Sequence, residues 1–303
     1  MLALSTAWNA NRSADGTIIA REIFDLGIKD IELNFSLTKK MVEDIFKFCA
    51  HKGMRITSLH NFCPIPEGLN IQEALPDYYS LASLNEQERQ RAVAFTKISI
   101  DTAQNVGAKA VVLHCGRVEM EDKTKILIDI LRKDPSKNEL FKKNADEFIQ
   151  ERKRKSPPHV EQILKSLSEL CQYAKKSNCI LGLENRFYYR EIPSLEEFEI
   201  IFKKLKDDNI TYWHDVGHAY IFEQLGLIKE NSLLEHFGSR LAGMHIHDIK
   251  NLNDHQAPLK GEFNFQTLTP YIKKDTNKVI EAHGCASVQD IHKSIRYLKG
   301  LWP

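Results

Sequence analysis

Eight short apolar runs, each of strand length, recur along this chain and constrain its fold more than any other feature. Each run is followed by a polar or glycine-containing turn and then by a segment with helical periodicity, which is typical of βαβ units. Eight such units without a break in composition predict an α/β protein with one closed (β/α)8 barrel over residues 1–303. A doubly wound open sheet is the alternative. The runs span residues 2–6, 30–35, 55–62, 109–115, 179–185, 210–215, 241–248 and 278–283.

One interval is longer than the others, because residues 117–158 separate the fourth run from the next predicted barrel helix. Connections after barrel strands usually take a few residues and lie on the face that carries active sites. We therefore predict a helical insertion here, with helices at 123–132 and 138–155, ending at Ser156-Pro157-Pro158. The basic run 151–155 is interpreted as a solvated helix face, and the alternatives are a lid over the active face or an anion contact.

The charge balance and the cysteine spacing limit the partners and the cellular compartment that we expect for this protein. The chain has 42 Lys and Arg against 41 Asp and Glu, a formal net charge of +1. It therefore has no global field that would gather nucleic acid, and a nucleic-acid partner is not expected. The six cysteines show no C-x-x-C spacing, which favours reduced core thiols and a cytoplasmic protein. We expect no export signal and no membrane span, since no apolar window approaches about 18 residues.

Acidic and histidine side chains stand at the ends of most runs. The C-terminal ends of barrel strands meet on one face, so these side chains are predicted to lie together. Carboxylates and imidazoles bind divalent cations, and ionised carboxylates at the ends of apolar strands would be costly without a cation. The third to eighth runs end at or near His60, His114, Glu184, Asp215, His245 and Glu281. We predict a metal site formed by Glu184, Asp215, His245 and Glu281.

The order of these residues resembles a known family. His214-Asp215-Val-Gly-His218, preceded by Leu-Glu184-Asn and followed by His245-Ile-His-Asp, resembles the xylose isomerase-like TIM barrels. That family groups sugar and sugar-phosphate isomerases and epimerases with endonuclease IV. The resemblance implies that Glu184, Asp215, His245 and Glu281 bind one Mn, Mg, Co or Zn ion. It also implies that side chains near this ion contact the substrate, namely His60, His114 and His218.

The endonuclease IV branch of this family is the first alternative. Its members hold three zinc ions, and the resemblance implies additional metal ligands here at His60, His114, His218 and His255. One position departs from the pattern, because the aspartate of its D-x-H element is Asn253, a neutral amide that binds zinc poorly. A shift of register would place Asp254 there instead. On this alternative the protein is a zinc phosphodiesterase acting on abasic DNA, with up to three Zn.

The predicted function is a divalent-metal-dependent sugar or sugar-phosphate isomerase or epimerase. A metal ion would polarise the substrate carbonyl and stabilise an enediolate, while Glu184 and Glu281 remove and return the carbon proton. Arg186 and His247 are interpreted as contacts to a distal hydroxyl, carboxylate or phosphate of a small carbohydrate. A metal-dependent keto-polyol dehydratase shares the first step and is the second alternative. Homo-oligomer formation stays open.

Overall fold

Eight parallel strands close into a barrel in the computed structural model, which describes residues 1–302. The barrel strands are β1 (Leu2–Ser5), β2 (Asp30–Leu33), β3 (Arg55–His60), β4 (Ala110–Leu113), β5 (Ile180–Glu184), β6 (Ile210–Asp215), β7 (Leu241–Ile246) and β10 (Asn277–Ile280), and β8 (Asp248–Lys250) and β9 (Asn253–Gln256) form a separate two-stranded sheet. Strand β1 pairs with both β2 and β10, which closes the barrel. Each predicted run overlaps one barrel strand, so the (β/α)8 prediction is confirmed and the open sheet is wrong.

The barrel is surrounded by helices whose ends follow capping chemistry. They are α1 (Gly16–Asp25), α2 (Lys39–Lys52), α3 (Glu86–Val106), α4 (Thr124–Lys133), α5 (Glu139–Lys176), α6 (Leu195–Lys204), α7 (Val216–Leu225), α8 (Ser232–Phe237) and α9 (Val288–Leu301). Helix α2 begins after Thr38, whose hydroxyl accepts a hydrogen bond from Met41 N, and ends at Gly53 with a φ of 65°. Helix α6 begins with a capping box between Ser194 and Glu197.

Within residues 1–302, none of the helices is long and apolar enough to cross a membrane.

Helix α5 differs from the sequence prediction, because it runs through the two prolines that were expected to end it. It is one helix of 38 residues, with Pro157 and Pro158 inside. The two prolines lack the backbone N–H groups that would make two of the helical hydrogen bonds. Both prolines lie on the exposed face, where water can donate hydrogen bonds to the carbonyl oxygens left without a partner. On the opposite face His159 is buried and its Nδ1 lies 2.8 Å from the carbonyl oxygen of Ala82. The predicted boundary at residue 158 is therefore wrong.

A tryptophan fills the barrel interior below the strand ends. Trp213 on β6 is completely buried with Ala110, Val112 and Val279. Two glycines on the neighbouring strands leave room for its ring: a Cβ on Gly243 would lie 2.4 Å from it, and one on Gly182 would lie 2.8 Å from it. The indole is 5.5 Å from the His245 ring, measured between centroids. The interior is thus a packed floor that supports the polar groups above it.

The connection after β7 contains a short hairpin that the sequence analysis did not predict. Strands β8 and β9 pair antiparallel, and four residues in and after the hairpin (Asn251, Leu252, His255 and Leu259) have positive φ angles. A positive φ is uncommon for residues other than glycine, and such positions concentrate at functional sites. The hairpin places residues 253–255 against the strand ends that carry the predicted metal ligands.

Candidate metal centre and substrate cavity

Four predicted ligands converge around one imidazole nitrogen. Nδ1 of His245 lies 2.5 Å from Oε1 of Glu184, 3.1 Å from Oε2 of Glu281 and 3.9 Å from Oδ2 of Asp215. One ligand atom from each of the four residues lies within 4.8 Å of those of the other three. All four side chains are buried. The four positions come from β5, β6, β7 and the residue that follows β10, which is why the barrel brings them together.

The chemistry of this cluster fits one divalent cation. Three carboxylates and one imidazole are a donor set suited to Mn²⁺, Mg²⁺, Co²⁺ or Zn²⁺. Three ionised carboxylates buried together repel each other, and a cation would offset that cost. Burial raises the pKa of Glu281, but the neighbouring His245 and His255 outweigh it and hold that pKa at about 2. Glu281 is therefore ionised and able to bind a cation at neutral pH.

The second oxygen of Glu184 is occupied by two nitrogen donors. Nε2 of His114 lies 2.8 Å from Oε2 of Glu184, and Nη1 of Arg186 donates a hydrogen bond to the same oxygen. Nε of Arg186 lies 3.5 Å from Oε2 of Glu191. Burial lowers the pKa of His114 to about 3, so this imidazole is neutral and donates through Nε2. Arg186 thus supplies a fixed positive charge beside Glu184.

A second group consists of Asp215, His218, His247 and His255, whose ligand atoms also lie within 4.8 Å of each other. Here the structure corrects the prediction that His247 contacts substrate. His247 is completely buried, its Nε2 lies 3.0 Å from both carboxylate oxygens of Asp215, and its Nδ1 accepts a hydrogen bond from His255 N. Since Nδ1 accepts, Nε2 carries the proton and donates to Asp215. His247 therefore holds Asp215 in place and has no free nitrogen for a ligand.

The hairpin contributes Asp254 rather than Asn253 to this second group. Oδ1 of Asn253 accepts a hydrogen bond of 2.6 Å from Nη2 of Arg132 on α4. The Oδ2 atom of Asp254 lies 3.7 Å from Nε2 of His218 and 3.2 Å from Nδ1 of His255. Asp254, which the sequence analysis considered as the alternative to Asn253, therefore lies near these two histidines.

A cavity of about 440 Å³ opens above the four-ligand cluster. Glu184, Glu281 and several predicted substrate contacts form its floor, while α4 and the hairpin form its outer wall. His218 is anchored with Nδ1 3.0 Å from the carbonyl oxygen of Asn185, which leaves Nε2 toward the cavity. The predicted residues that line the cavity are His60, His114, Glu184, Arg186, His218, His255 and Glu281.

Comparison with known proteins shows the family of this chain. The sequence pattern of the family described as "Xylose isomerase-like TIM barrel" matches residues 20–300. The chain belongs to this family. No match was found among curated proteins.

Solved structures with a fold similar to that of this chain include several proteins named as sugar epimerases. A 3-keto-D-glucoside 4-epimerase from E. coli is 16% identical with a TM-score of 0.68, covering 99% of this chain and 98% of that one. A D-psicose 3-epimerase from Clostridium cellulolyticum is 13% identical with a TM-score of 0.67, covering 99% and 98%. A D-tagatose 3-epimerase-like protein is 17% identical with a TM-score of 0.66, covering 99% and 96%. At these identities the likeness shows the fold.

Sequence reasoning missed two parts of this xylose isomerase-like site. Glu32 on β2 is completely buried, and its Oε1 lies 3.0 Å from Nε2 of His245. It was missed because only the ends of the runs were searched for ligands, and this run was predicted to end at residue 35. A carboxylate alternating with apolar residues inside a strand was the available signal. Lys125 and Arg132 on α4 line the cavity beside the buried stripe of Leu127, Ile128 and Leu131, whose helical spacing was the available signal for the orientation of this helix.

Proposed function

We propose that this protein is a divalent-metal-dependent isomerase or epimerase acting on a small carbohydrate. The observation that carries the proposal is the contact of both Glu184 and Glu281 with Nδ1 of His245, at the floor of the cavity. Two carboxylates that approach one site from different strands can serve the two faces of a substrate carbon. Structures of similar fold include enzymes named as epimerases of D-psicose and of a 3-keto-D-glucoside, which supports a carbohydrate substrate.

We assign the steps of this proposed reaction to individual residues. A divalent cation bound by Glu184, Asp215, His245 and Glu281 would polarise a carbonyl and stabilise the negative charge left by proton loss. One of the two glutamates takes the proton from the carbon next to the carbonyl, and the other returns a proton to the opposite face or to the neighbouring carbon. Arg186 keeps Glu184 ionised and oriented. His60 and His218 are placed to donate or accept hydrogen bonds with substrate hydroxyls.

We further propose that residues 117–158 cover the bound substrate. Helix α4 contributes Lys125 and Ile128 to the cavity wall. Arg132 ties this helix to the hairpin through the carbonyl oxygen of Asn251 and the side chain of Asn253. Covering the site would keep water from an anionic intermediate.

Metal stoichiometry tests this function against its rivals. We expect elemental analysis of protein purified without chelator to find about one Mn, Mg, Co or Zn per chain, as a single four-ligand site requires. The next assay is exchange of the substrate proton with deuterium from D₂O, followed by NMR over a panel of ketoses and keto-glycosides. One metal per chain with exchange but no epimer or isomer would favour the keto-polyol dehydratase.

The zinc phosphodiesterase keeps one observation in its favour, the approach of Asp254 to His218 and His255. Two or three zinc ions per chain, with cleavage of a duplex carrying an abasic site, would support that function and contradict the epimerase. The position of Arg186 favours the single-metal proposal, because its guanidinium already neutralises the oxygen of Glu184 that a second cation near His114 would need.

A substitution of His218 tests whether the four proposed ligands are assigned correctly. We expect His218→Ala to lower turnover by about 10²-fold or more while one metal ion stays bound, since its Nε2 faces the cavity and lies outside the four-ligand cluster. Activity and metal content are measured on the same preparation. Loss of the single metal in this variant would contradict the assignment of the four ligands.

A further inference from the structure

We propose that Glu32 is a positioning residue that sets the tautomer and orientation of the metal ligand His245. This inference rests on the proposed metal site and deepens it, since it names a residue outside the four ligands that controls the affinity for the metal. Glu32 stands on β2, which is separated from β7 in the barrel by β1 and β10. Its carboxylate therefore reaches His245 through the barrel interior.

The contacts assign opposite tasks to the two ring nitrogens of His245. Nε2 lies 3.0 Å from Oε1 and 3.3 Å from Oε2 of Glu32, while Nδ1 faces Glu184 and Glu281. A carboxylate accepts but does not donate, so Glu32 keeps the proton on Nε2. Nδ1 lies 2.5 Å from Oε1 of Glu184 and 3.1 Å from Oε2 of Glu281, so it also carries a proton in the metal-free chain, and a cation bound by these ligands would displace that proton. A carboxylate hydrogen-bonded to a ligand histidine also makes the imidazole a stronger donor to the metal.

Glu32 is itself held in a fixed position. Ser58 on β3 donates a hydrogen bond of 2.7 Å to Oε2 of Glu32, and Asn277 at the start of β10 donates one of 3.1 Å to the Ser58 hydroxyl. Glu32 and Ser58 are directly paired in the register of β2 and β3. Glu32, Ser58 and His245 are all completely buried. A polar chain that crosses the barrel interior therefore ends at the metal ligand.

Packing limits the His245 ring from two further sides. The His60 ring stacks on it with centroids 5.6 Å apart and an angle of 11° between planes. Trp213 contacts it edge-on at 5.5 Å. Neither neighbour offers a hydrogen bond to Nε2, so packing fixes the plane of the ring while Glu32 decides which nitrogen is protonated.

A positioning role and a purely structural role for Glu32 predict different free energies of unfolding for the metal-free protein. In metal-free protein the Glu32 carboxylate attracts His245, whose Nε2 is 3.0 Å away, and is repelled by the buried carboxylates of Glu184 and Glu281, so the two effects of removing its charge offset each other. A structural residue would lower the free energy of unfolding of the metal-free chain when it is changed. A positioning residue would leave that free energy unchanged or higher and weaken metal binding.

The test compares Glu32→Gln with Asp30→Asn. Asp30 lies two residues earlier on the same strand, is buried, and pairs with Arg55 rather than with His245. Mn²⁺ affinity of chelator-stripped protein is measured by calorimetry, and unfolding of the metal-free protein by urea titration. We expect Glu32→Gln to weaken Mn²⁺ binding by about 10- to 100-fold with no loss of metal-free stability, and Asp30→Asn to leave Mn²⁺ affinity unchanged.

Unchanged Mn²⁺ affinity in Glu32→Gln, with wild-type protein that binds Mn²⁺, overturns the role of Glu32 and leaves the proposed function standing. Wild-type protein that binds no divalent ion overturns the metal site itself. If Glu32→Gln does not fold, Ser58→Ala replaces it, because this change frees the carboxylate without removing it. A several-fold weaker affinity in Ser58→Ala supports the proposal, and an unchanged affinity contradicts it.

Discussion

Replacing either glutamate of the proposed metal site by glutamine is expected to lower turnover by roughly a thousandfold or more. Glu184→Gln and Glu281→Gln each keep the shape of the side chain and an oxygen that can approach a metal. Each loses the charge that binds the cation and the basicity that accepts a proton. The loss is therefore larger than for a residue that only orients substrate, such as His218. Steady-state kinetics on the substrate found in the deuterium-exchange panel measures it.

The two variants also separate the roles of ligand and base. In the proposed mechanism each carboxylate serves one face of the reacting carbon, so we expect the glutamate that remains to support slow deuterium exchange with one epimer only. The epimer that exchanges should be opposite in the two variants. Metal content is determined in parallel, so that loss of the ion is distinguished from loss of the base. Wild-type turnover in either variant would contradict the mechanism.

Glu223→Gln is the matched control for these changes. Glu223 is a partly buried carboxylate on α7 that accepts a hydrogen bond of 2.8 Å from Asn231 N. A glutamine oxygen can accept the same bond. We expect this variant to keep full activity, because Glu223 stands outside the four-ligand cluster.

The barrel and the proximity of the four proposed ligands could be predicted because both follow from local sequence patterns. Parallel barrel strands are covered on both faces and therefore read as short apolar runs, as in residues 179–185. Their C-terminal ends share one face, so Glu184, Asp215 and Glu281 could be grouped without knowing any distance. The sequence could not show which groups face the two ring nitrogens of each histidine. Nδ1 of His245 faces Glu184 and Glu281, whereas Nδ1 of His247 accepts a hydrogen bond from His255 N, and these contacts depend on the tertiary fold.

Other parts of the site depend on tertiary contacts that override local signals. Strand β9 reads Asn-Asp-His-Gln, with no apolar alternation, and it forms because the chain folds back on β8. The Pro157-Pro158 pair is a strong local stop signal, but buried contacts on the opposite face of α5 hold the helix together. The basic run 151–155 was interpreted as solvated, which is wrong for one of its members, Arg152.

Arg152 is the residue whose truncation we expect to destabilise the fold most among the changes considered. Its guanidinium donates two hydrogen bonds to Glu197, Nη1 to Oε1 at 2.8 Å and Nη2 to Oε2 at 2.7 Å, and both side chains are buried. It also donates to the carbonyl oxygens of Tyr189 and Glu191, in the loop that follows Arg186. The sequence did contain a signal, because residues 141, 145, 148 and 152 follow the buried stripe of α5.

Arg152→Ala should lower the free energy of unfolding by about 3–5 kcal/mol, because it leaves the buried Glu197 carboxylate without its cationic partner and with only the hydrogen bond from Ser194 N. Urea titration monitored by circular dichroism measures this. Arg154→Ala, on the exposed face of the same helix, should change the free energy by no more than about 0.5 kcal/mol. The double variant Arg152→Met with Glu197→Gln removes both charges and should recover a large part of the loss. If Arg152→Ala and Arg154→Ala are equally stable, the buried ion pair does not hold α5 against α6 and the loop between β5 and α6.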